Sequence, residues 1–277
     1  MLLFGTAGSP HATPRSGTEA AIATIRELTL DALEIAWVQS VQVGDKTCAL
    51  IKMAAGENGV ALSVHAPYYI NLNSQTAELM AKSDARLLAA ARKGYLAGVT
   101  DIIFHPGSYH SQPPERVYER VREKLVELTG ILSEEGATVT LRPETTGKSA
   151  MFGGLDEVVQ LAKEIPGVAP CVDIAHLHAR TGAFNSYDEF AAMLRLVERE
   201  LGREGLHAMH FHLSGIDYGP KGERQHLVMD EADLDWRAFL QACVDFGVKG
   251  RVICESPNLE DDALLFQRTY RELLAGA

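Results

Sequence analysis

Seven side chains stand out by type and place. His65, His105, Glu144, Asp173, His176, His212 and Glu255 each fall in the last residues of a short apolar run or just beyond it. The stretch "CVDIAHLHAR" (171–180) shows the problem they pose. Cys171, Val172, Ile174 and Ala175 read as a buried strand, yet Asp173 sits inside it, with His176 and His178 close behind. An unpaired buried carboxylate costs several kcal/mol, so such a group is paired or bound to a metal. Imidazoles and carboxylates without thiolates suit Zn, Mn or Fe rather than a structural thiolate site. Too many carboxylates converge to stay ionised side by side, and a carboxylate bridging two cations resolves that. Two ions about 3.5–4 Å apart activate a water and stabilise both oxygens of an in-line phosphoryl displacement. Metal-assisted hydrolysis of a phosphodiester is the leading expectation from these residues.

Such a set needs elements that bring it together. Eight short apolar runs recur: "LLFG" (2–5), "ALEIAWV" (32–38), "ALSVHA" (61–66), "DIIFHP" (101–106), "TVTLRPE" (138–144), "PCVDIAH" (170–176), "AMHFHLSG" (208–215) and "RVICESP" (251–257). Between them lie segments of helical period, such as 76–98 and 115–136, the second ending at Gly136 as a stop. Eight strand–helix alternations without a linker predict an α/β fold, a single (β/α)8 barrel over residues 1–277. A doubly wound open sheet is the alternative; neither G-x-G-x-x-G nor a P-loop follows any run, so its nucleotide-binding versions lack support. In a barrel the strand C-termini open on one face, where active sites lie. Six successive runs, the third to the eighth, would then deliver His, His, Glu, Asp/His, His and Glu to one rim.

Composition bounds the partners. The 277 residues carry a formal charge of −11, which argues on its face against nucleic acid, but three divalent ions at the rim would add about six positive charges there, so net charge does not decide binding. The N-terminal apolar run "LLF" is too short for a signal peptide, and no stretch approaches a membrane span. Cys48, Cys171, Cys243 and Cys254 show no C-x-x-C spacing and read as reduced core residues of a cytoplasmic protein.

"SVHAPYYINL", "FHPGS", "RPETTGK", "CVDIAHLHAR", "HLSG" and "CESPN" follow one another in the order and spacing of a known motif series. They resemble the endonuclease IV family of apurinic/apyrimidinic endonucleases, and "PETTGK" with "DIAHLHAR" is more similar to its archaeal-type branch. The resemblance runs from the third apolar run to the last. It implies a (β/α)8 barrel with a trinuclear zinc site that cleaves double-stranded DNA 5′ of an abasic site, in base-excision repair, acting as a monomer. It implies that His65 and His105 bind a first Zn²⁺, with Glu144 bridging to a second completed by Asp173, His212 and Glu255. Glu255 has a general base as its other reading. His176 matches a ligand of a third ion, whose other ligands in the family come from an Asp-x-His in the loop after the seventh strand. Here that loop reads "GPKGERQHLVMDE". His226 is then the natural histidine, and Glu223 the carboxylate. Two or three Zn²⁺ are expected per chain, with Mn²⁺ as the other candidate.

The remaining residues carry lesser expectations. His178 supports a ligand or sits in a loop, and His210 lies deeper than His212 on the same strand face. His11, His110 and His207 are expected to face solvent. Tyr68 either enters the damaged duplex, filling the gap a flipped-out site leaves, or packs under its loop. Arg15, Lys148, Arg180, Lys221 and Arg224 punctuate the loops of the expected active face. The family's arginine wedge after the second strand is replaced by Trp37, Gln39 and Gln42. Two other readings stand beside the nuclease: a sugar isomerase or epimerase on the same kind of barrel, and an inactive barrel that binds DNA or a partner. An isomerase needs about four ligands and a proton-shuttling pair, fewer than this rim offers.

Overall fold

The computed structural model describes residues 1–276; Ala277, the last residue of the expected domain, lies outside the described residues. Eight parallel strands form its sheet: β1 (Leu2–Ala7), β2 (Ala32–Ala36), β3 (Ala61–His65), β4 (Asp101–Phe104), β5 (Thr140–Pro143), β6 (Cys171–Asp173), β7 (Met209–Leu213) and β8 (Gly250–Cys254). Each pairs with its neighbour in sequence, β1 also pairs with β8, and β5 meets β6 only through the isolated parallel pairs Leu141↔Val168 and Glu144↔Cys171. The sheet is thus a nearly closed barrel, which removes the open-sheet alternative. Each of the eight apolar runs overlaps one strand of the sheet. The sixth is shorter than its apolar stretch: the strand stops at Asp173, and Ile174 already opens a helix.

The helices are α1 (Thr18–Glu27), α2 (Asp45–Asn58), α3 (Ala77–Leu96), α4 (Pro114–Glu134), α5 (Leu155–Glu164), α6 (Ile174–Thr181), α7 (Tyr187–His207, broken at Gly202), α8 (Trp236–Asp245) and α9 (Glu260–Gly276). Helix α4 shows why they form. Pro114 opens it, its fixed φ suiting the first turn. Val117, Val121, Leu125, Leu128 and Leu132 make one buried stripe, and Gly136 follows at a φ of 71°. The strands are buried on both faces, as a helix-covered parallel sheet requires. On β7, Phe211 points outward onto Phe239 of α8, with ring centroids 5.0 Å apart, while His210 and His212 point into the barrel by period-two alternation.

The two barrel ends differ. At the N-terminal end the buried Asp101 carboxylate lies between Arg142, whose Nε donates to it, and Arg251, 3.0 Å away. Arg142 also donates to the Pro170 and Ala208 carbonyls at 2.8 Å. At the C-terminal end two small antiparallel pairs rise from the loops. One pairs Gly107–Ser108 with Met151–Phe152, and the other is the hairpin Gly215–Gly219 with Gly222–Leu227.

Candidate metal centre

The barrel brings all seven rim residues of the sequence reading together at its C-terminal end. Glu144, just past β5, is their hub. Its Oε2 lies 3.2 Å from Nε2 of both His65 and His105, and its Oε1 lies 3.2 Å from Nδ1 of both His176 and His212. Among the described residues four groups of donors have metal-ligand spacing; beside the deeper Cys171–His210–His212, three lie at this rim: His65–His105–Glu144, Glu144–Asp173–His212–Glu255, and Asp173–His176–His226. Glu144 belongs to the first two and Asp173 to the last two, so the groups share carboxylates as a bridged cluster would.

Local structure aims these side chains. Nδ1 of His65 is 2.8 Å from the Ala66 carbonyl, Nδ1 of His176 is 3.0 Å from the Thr145 carbonyl, and Nδ1 of His226 is 3.1 Å from the Glu255 carbonyl. A carbonyl only accepts, so each of these nitrogens donates, and Nε2 is the atom each ring would offer to a cation once deprotonated. Asp173 is the N-cap of α6, and its Oδ1 accepts from the His176 backbone N–H at 2.7 Å. That places His176 one turn beyond it.

Protonation follows from burial and crowding. Burial alone would raise Glu144, but His105 and His212 outweigh it and hold the carboxyl well below the usual carboxylate range. Burial wins at Asp173, whose carboxyl is pushed up despite His176. Burial pulls the imidazoles down. Asp173 and Glu144 nevertheless raise His176 well above its ordinary value, and Cys171 with Glu255, Glu34 and Glu144 does the same for His212. Without cations, protons on the histidines balance the carboxylates. A divalent ion would replace those protons, because the ligand form of imidazole is neutral. The donor set fits: nitrogen and oxygen ligands suit zinc or manganese. Asp173 Oδ2 is buried with no hydrogen-bond partner, as a ligand oxygen awaiting a cation would be.

The hairpin after β7 supplies the rest. Glu223 Oε2 stands 3.1 Å from His176 Nε2 and has no hydrogen-bond partner, the pair lying off the hydrogen-bonding line. Glu223 reaches His176 without joining the Asp173–His176–His226 group, and Lys148 holds its other oxygen at 3.3 Å. Gly147 and Gly222 make this docking possible: a Cβ on Gly222 would lie 2.1 Å from the Gly147 carbonyl oxygen, and one on Gly147 would lie 2.1 Å from Glu223 Oε2.

Tyr68 does not pack under its loop. It is 50% exposed at the mouth, its ring 5.1 Å from that of His65 and 5.5 Å from that of His105. A cavity of about 260 Å³ opens there, lined by His65, Tyr68, His105, Glu144, His176 and His226 among others. His178 lies on α6 rather than in a loop and turns away from the rim residues. Its Nδ1 is 2.8 Å from the Ala183 carbonyl and its Nε2 3.2 Å from Asp233, tying α6 to the loop before α8. His11 and His110 are exposed and hydrogen-bonded, while His207 is half-buried at the end of α7. Three of the five basic residues are engaged by protein oxygens: Lys148 by Glu223, Arg224 by Asp217, and Arg180 by the carbonyls of Thr146, Lys148 and Met151.

Sequence reading missed Glu34. It lies mid-way along β2, fully buried, 3.0 Å from His210 Nε2 and 3.0 Å from His212 Nε2. The available signal was the one that exposed Asp173, a carboxylate inside an apolar run. No helix among the described residues is long and apolar enough to cross a membrane.

Against known proteins, the model of the family described as "Xylose isomerase-like TIM barrel" matches residues 22–273. The chain belongs to that family. Among relatives of this xylose isomerase-like barrel, an uncharacterized protein of Methanocaldococcus jannaschii is 39% identical over 274 residues, 99% of this chain and 98% of its own. Endonuclease 4 of Thermus thermophilus is 29% identical over 209 residues, 74% of this chain and 72% of its own. A probable endonuclease 4 of Heliobacterium modesticaldum is 28% identical over 169 residues, 60% of each chain. Solved structures share the fold across both chemistries. A crystal structure of endonuclease IV from Thermus thermophilus superposes with a TM-score of 0.75 at 21% identity, covering 99% of this chain and 100% of that one. A D-tagatose 3-epimerase-like protein reaches 0.74 at 18% identity, covering 99% of each. The fold alone does not choose between nuclease and epimerase.

Proposed function

We propose that this xylose isomerase-like barrel is a metal-dependent phosphodiesterase that cleaves double-stranded DNA on the 5′ side of abasic sites. The observation that carries the reading is the set of three donor groups sharing Glu144 and Asp173. A one-metal epimerase needs only the middle group, Glu144–Asp173–His212–Glu255, and would leave His65, His105, His176 and His226 surplus. Sequence relatives named endonuclease 4 lean the same way.

On this reading His65, His105 and Glu144 hold a first zinc, and Glu144, Asp173, His212 and Glu255 a second. His176 and His226, with Asp173 or Glu223, hold a third. Bound there, the ions supply Lewis acidity at the phosphoryl oxygens and a water of lowered pKa. The chain itself does the positioning. Glu144 and Asp173 set the spacing between groups, and the three Nδ1-to-carbonyl contacts fix ring orientation. Glu255, 3.5 Å from His212 Nδ1, acts as a ligand rather than a free base. Tyr68 presents an aromatic face at the mouth, where it would stack against the unpaired site in the duplex.

Incubation of the purified protein with a duplex bearing one abasic site tests this. Incision 5′ of the site, abolished by chelator and restored by Zn²⁺ or Mn²⁺, is expected. An intact duplex, with turnover of a ketohexose instead, would favour the epimerase.

A further inference from the structure

Barrel interiors of this kind are ordinarily filled by branched aliphatic side chains. Here the layer below the ligands is polar: Glu34 on β2, Ser63 on β3 and His210 on β7 are all buried. Ser63 Oγ donates to Glu34 Oε2 at 2.8 Å, and His210 Nε2 lies 3.0 Å from the same oxygen. The other oxygen, Oε1, lies 3.0 Å from His212 Nε2; the pair is off the hydrogen-bonding line, and both atoms are buried without a hydrogen-bond partner, facing each other. His212 therefore spans two layers. Its Nδ1 faces Glu144 at 3.2 Å and Glu255 at 3.5 Å, while its Nε2 faces Glu34.

From this geometry we infer that Glu34 is a positioning residue: it holds His212 as the Nε2–H tautomer, so that the Nδ1 lone pair is presented to the ion shared by Glu144, Asp173 and Glu255. The opposite tautomer would aim the Nε2 lone pair at a buried carboxylate and leave that carboxylate short of a donor, a cost that burial magnifies. A carboxylate on the far nitrogen also fixes the ring and raises its basicity as a ligand, and losing such a partner typically weakens metal binding about 10–100-fold. The inference rests on the metal-centre part of the proposed function, and not on DNA as the substrate.

Titration of metal-free wild-type and E34Q protein with Co²⁺, followed by visible absorption, tests it together with Zn²⁺ retention against a graded chelator. E34Q is expected to hold one ion about 10–100-fold more weakly and the others as wild type does. In zinc-loaded wild type, ¹⁵N spectra of the imidazoles should show His212 protonated at Nε2 and metal-bound at Nδ1. Wild-type affinity for every ion in E34Q would overturn the inference, even if the variant melts earlier, because Glu34 would then only support the fold. Should E34Q fail to fold, the wild-type spectrum decides: a proton on His212 Nδ1 overturns it. So would an intense thiolate-to-cobalt band removed by C171S, since Cys171, His210 and His212 also lie within metal-binding reach of one another. A wild-type protein that binds no divalent ion would sink the metal centre itself, a result distinct from equal loading of wild type and E34Q.

Discussion

Asp173 uses its two oxygens for different work. Oδ1 caps α6 by accepting from the His176 N–H at 2.7 Å, while Oδ2, without a hydrogen-bond partner, stands 3.2 Å from the ring of the same histidine. The cap needs only an oxygen, whereas a metal needs the charge. Asp173→Asn is therefore expected to stay within about 1 kcal/mol of wild type in the metal-free state, because Asn caps as well as Asp. Metal analysis should show at least one ion lost per chain. Asp173→Ala should lose the cap too, at about 0.5–2 kcal/mol, read by denaturant titration.

Glu144 touches four imidazoles and belongs to two donor groups. Glu144→Gln keeps the shape and removes the charge that would hold two cations together. Metal content and abasic-site incision should both collapse, and His105→Ala should be comparably severe. A full complement of metal with wild-type cleavage would show that Glu144 is no bridge.

The third donor group depends on a hairpin and is the least enclosed. His226 and Glu223 are partly exposed, unlike Asp173 and His212. His226→Ala should lose one ion first under mild chelation, with incision falling in step, and Glu223→Gln should shift the same loss to lower chelator concentration. His178→Ala is expected to keep its ions, since that ring faces Asp233. Unchanged ion count and cleavage in His226→Ala would mean the hairpin supplies no ligand.

Acidity should act on the metal-free protein in a defined direction. Against burial, Asp173 and Glu144 raise His176, and Cys171 with Glu255, Glu34 and Glu144 raises His212, each well above the ordinary imidazole range. Their contribution to stability is fully present below the unfolded value of about 6.5 and is lost as pH rises through the folded values. Metal binding has the opposite slope, since ligands must shed protons. The gap in melting temperature between zinc-loaded and metal-free protein should widen from pH 6 toward alkaline pH. A constant gap would show that these histidines do not exchange protons for metal.

The opposite barrel end should affect stability alone. Asp101 is buried between Arg142 and Arg251, and these arginines outweigh burial and hold its carboxyl far below the usual range. Asp101→Asn leaves the buried Arg142 and the largely buried Arg251 short of a partner, at an expected cost of about 3–5 kcal/mol. That stabilisation is present above the unfolded carboxyl value of about 3.9 and fades as pH falls through the folded value. Denaturant titration at neutral pH should show the loss, with ion content unchanged.

Much of the centre was legible in the chain itself. Apolar runs ending in His or a carboxylate marked the strand ends, and a parallel barrel opens all strand ends on one face, so local pattern located His65, His105, Glu144, Asp173, His212 and Glu255. Gly136 and the stripe from Val117 to Leu132 marked a helix by the same local logic. Tertiary structure decided the rest, because the deciding contacts are made between strands far apart in sequence. Glu34 acquires its partner only when barrel closure sets it beside His210, 176 residues away. Glu223 became a neighbour of His176 only when the hairpin docked over Gly147. His178, near-identical in context to His176, turned to Asp233 because two residues along a helix rotate a side chain by about 200°. Period and propensity act within a few residues, whereas a buried charge finds its partner only through the closed packing of the whole barrel.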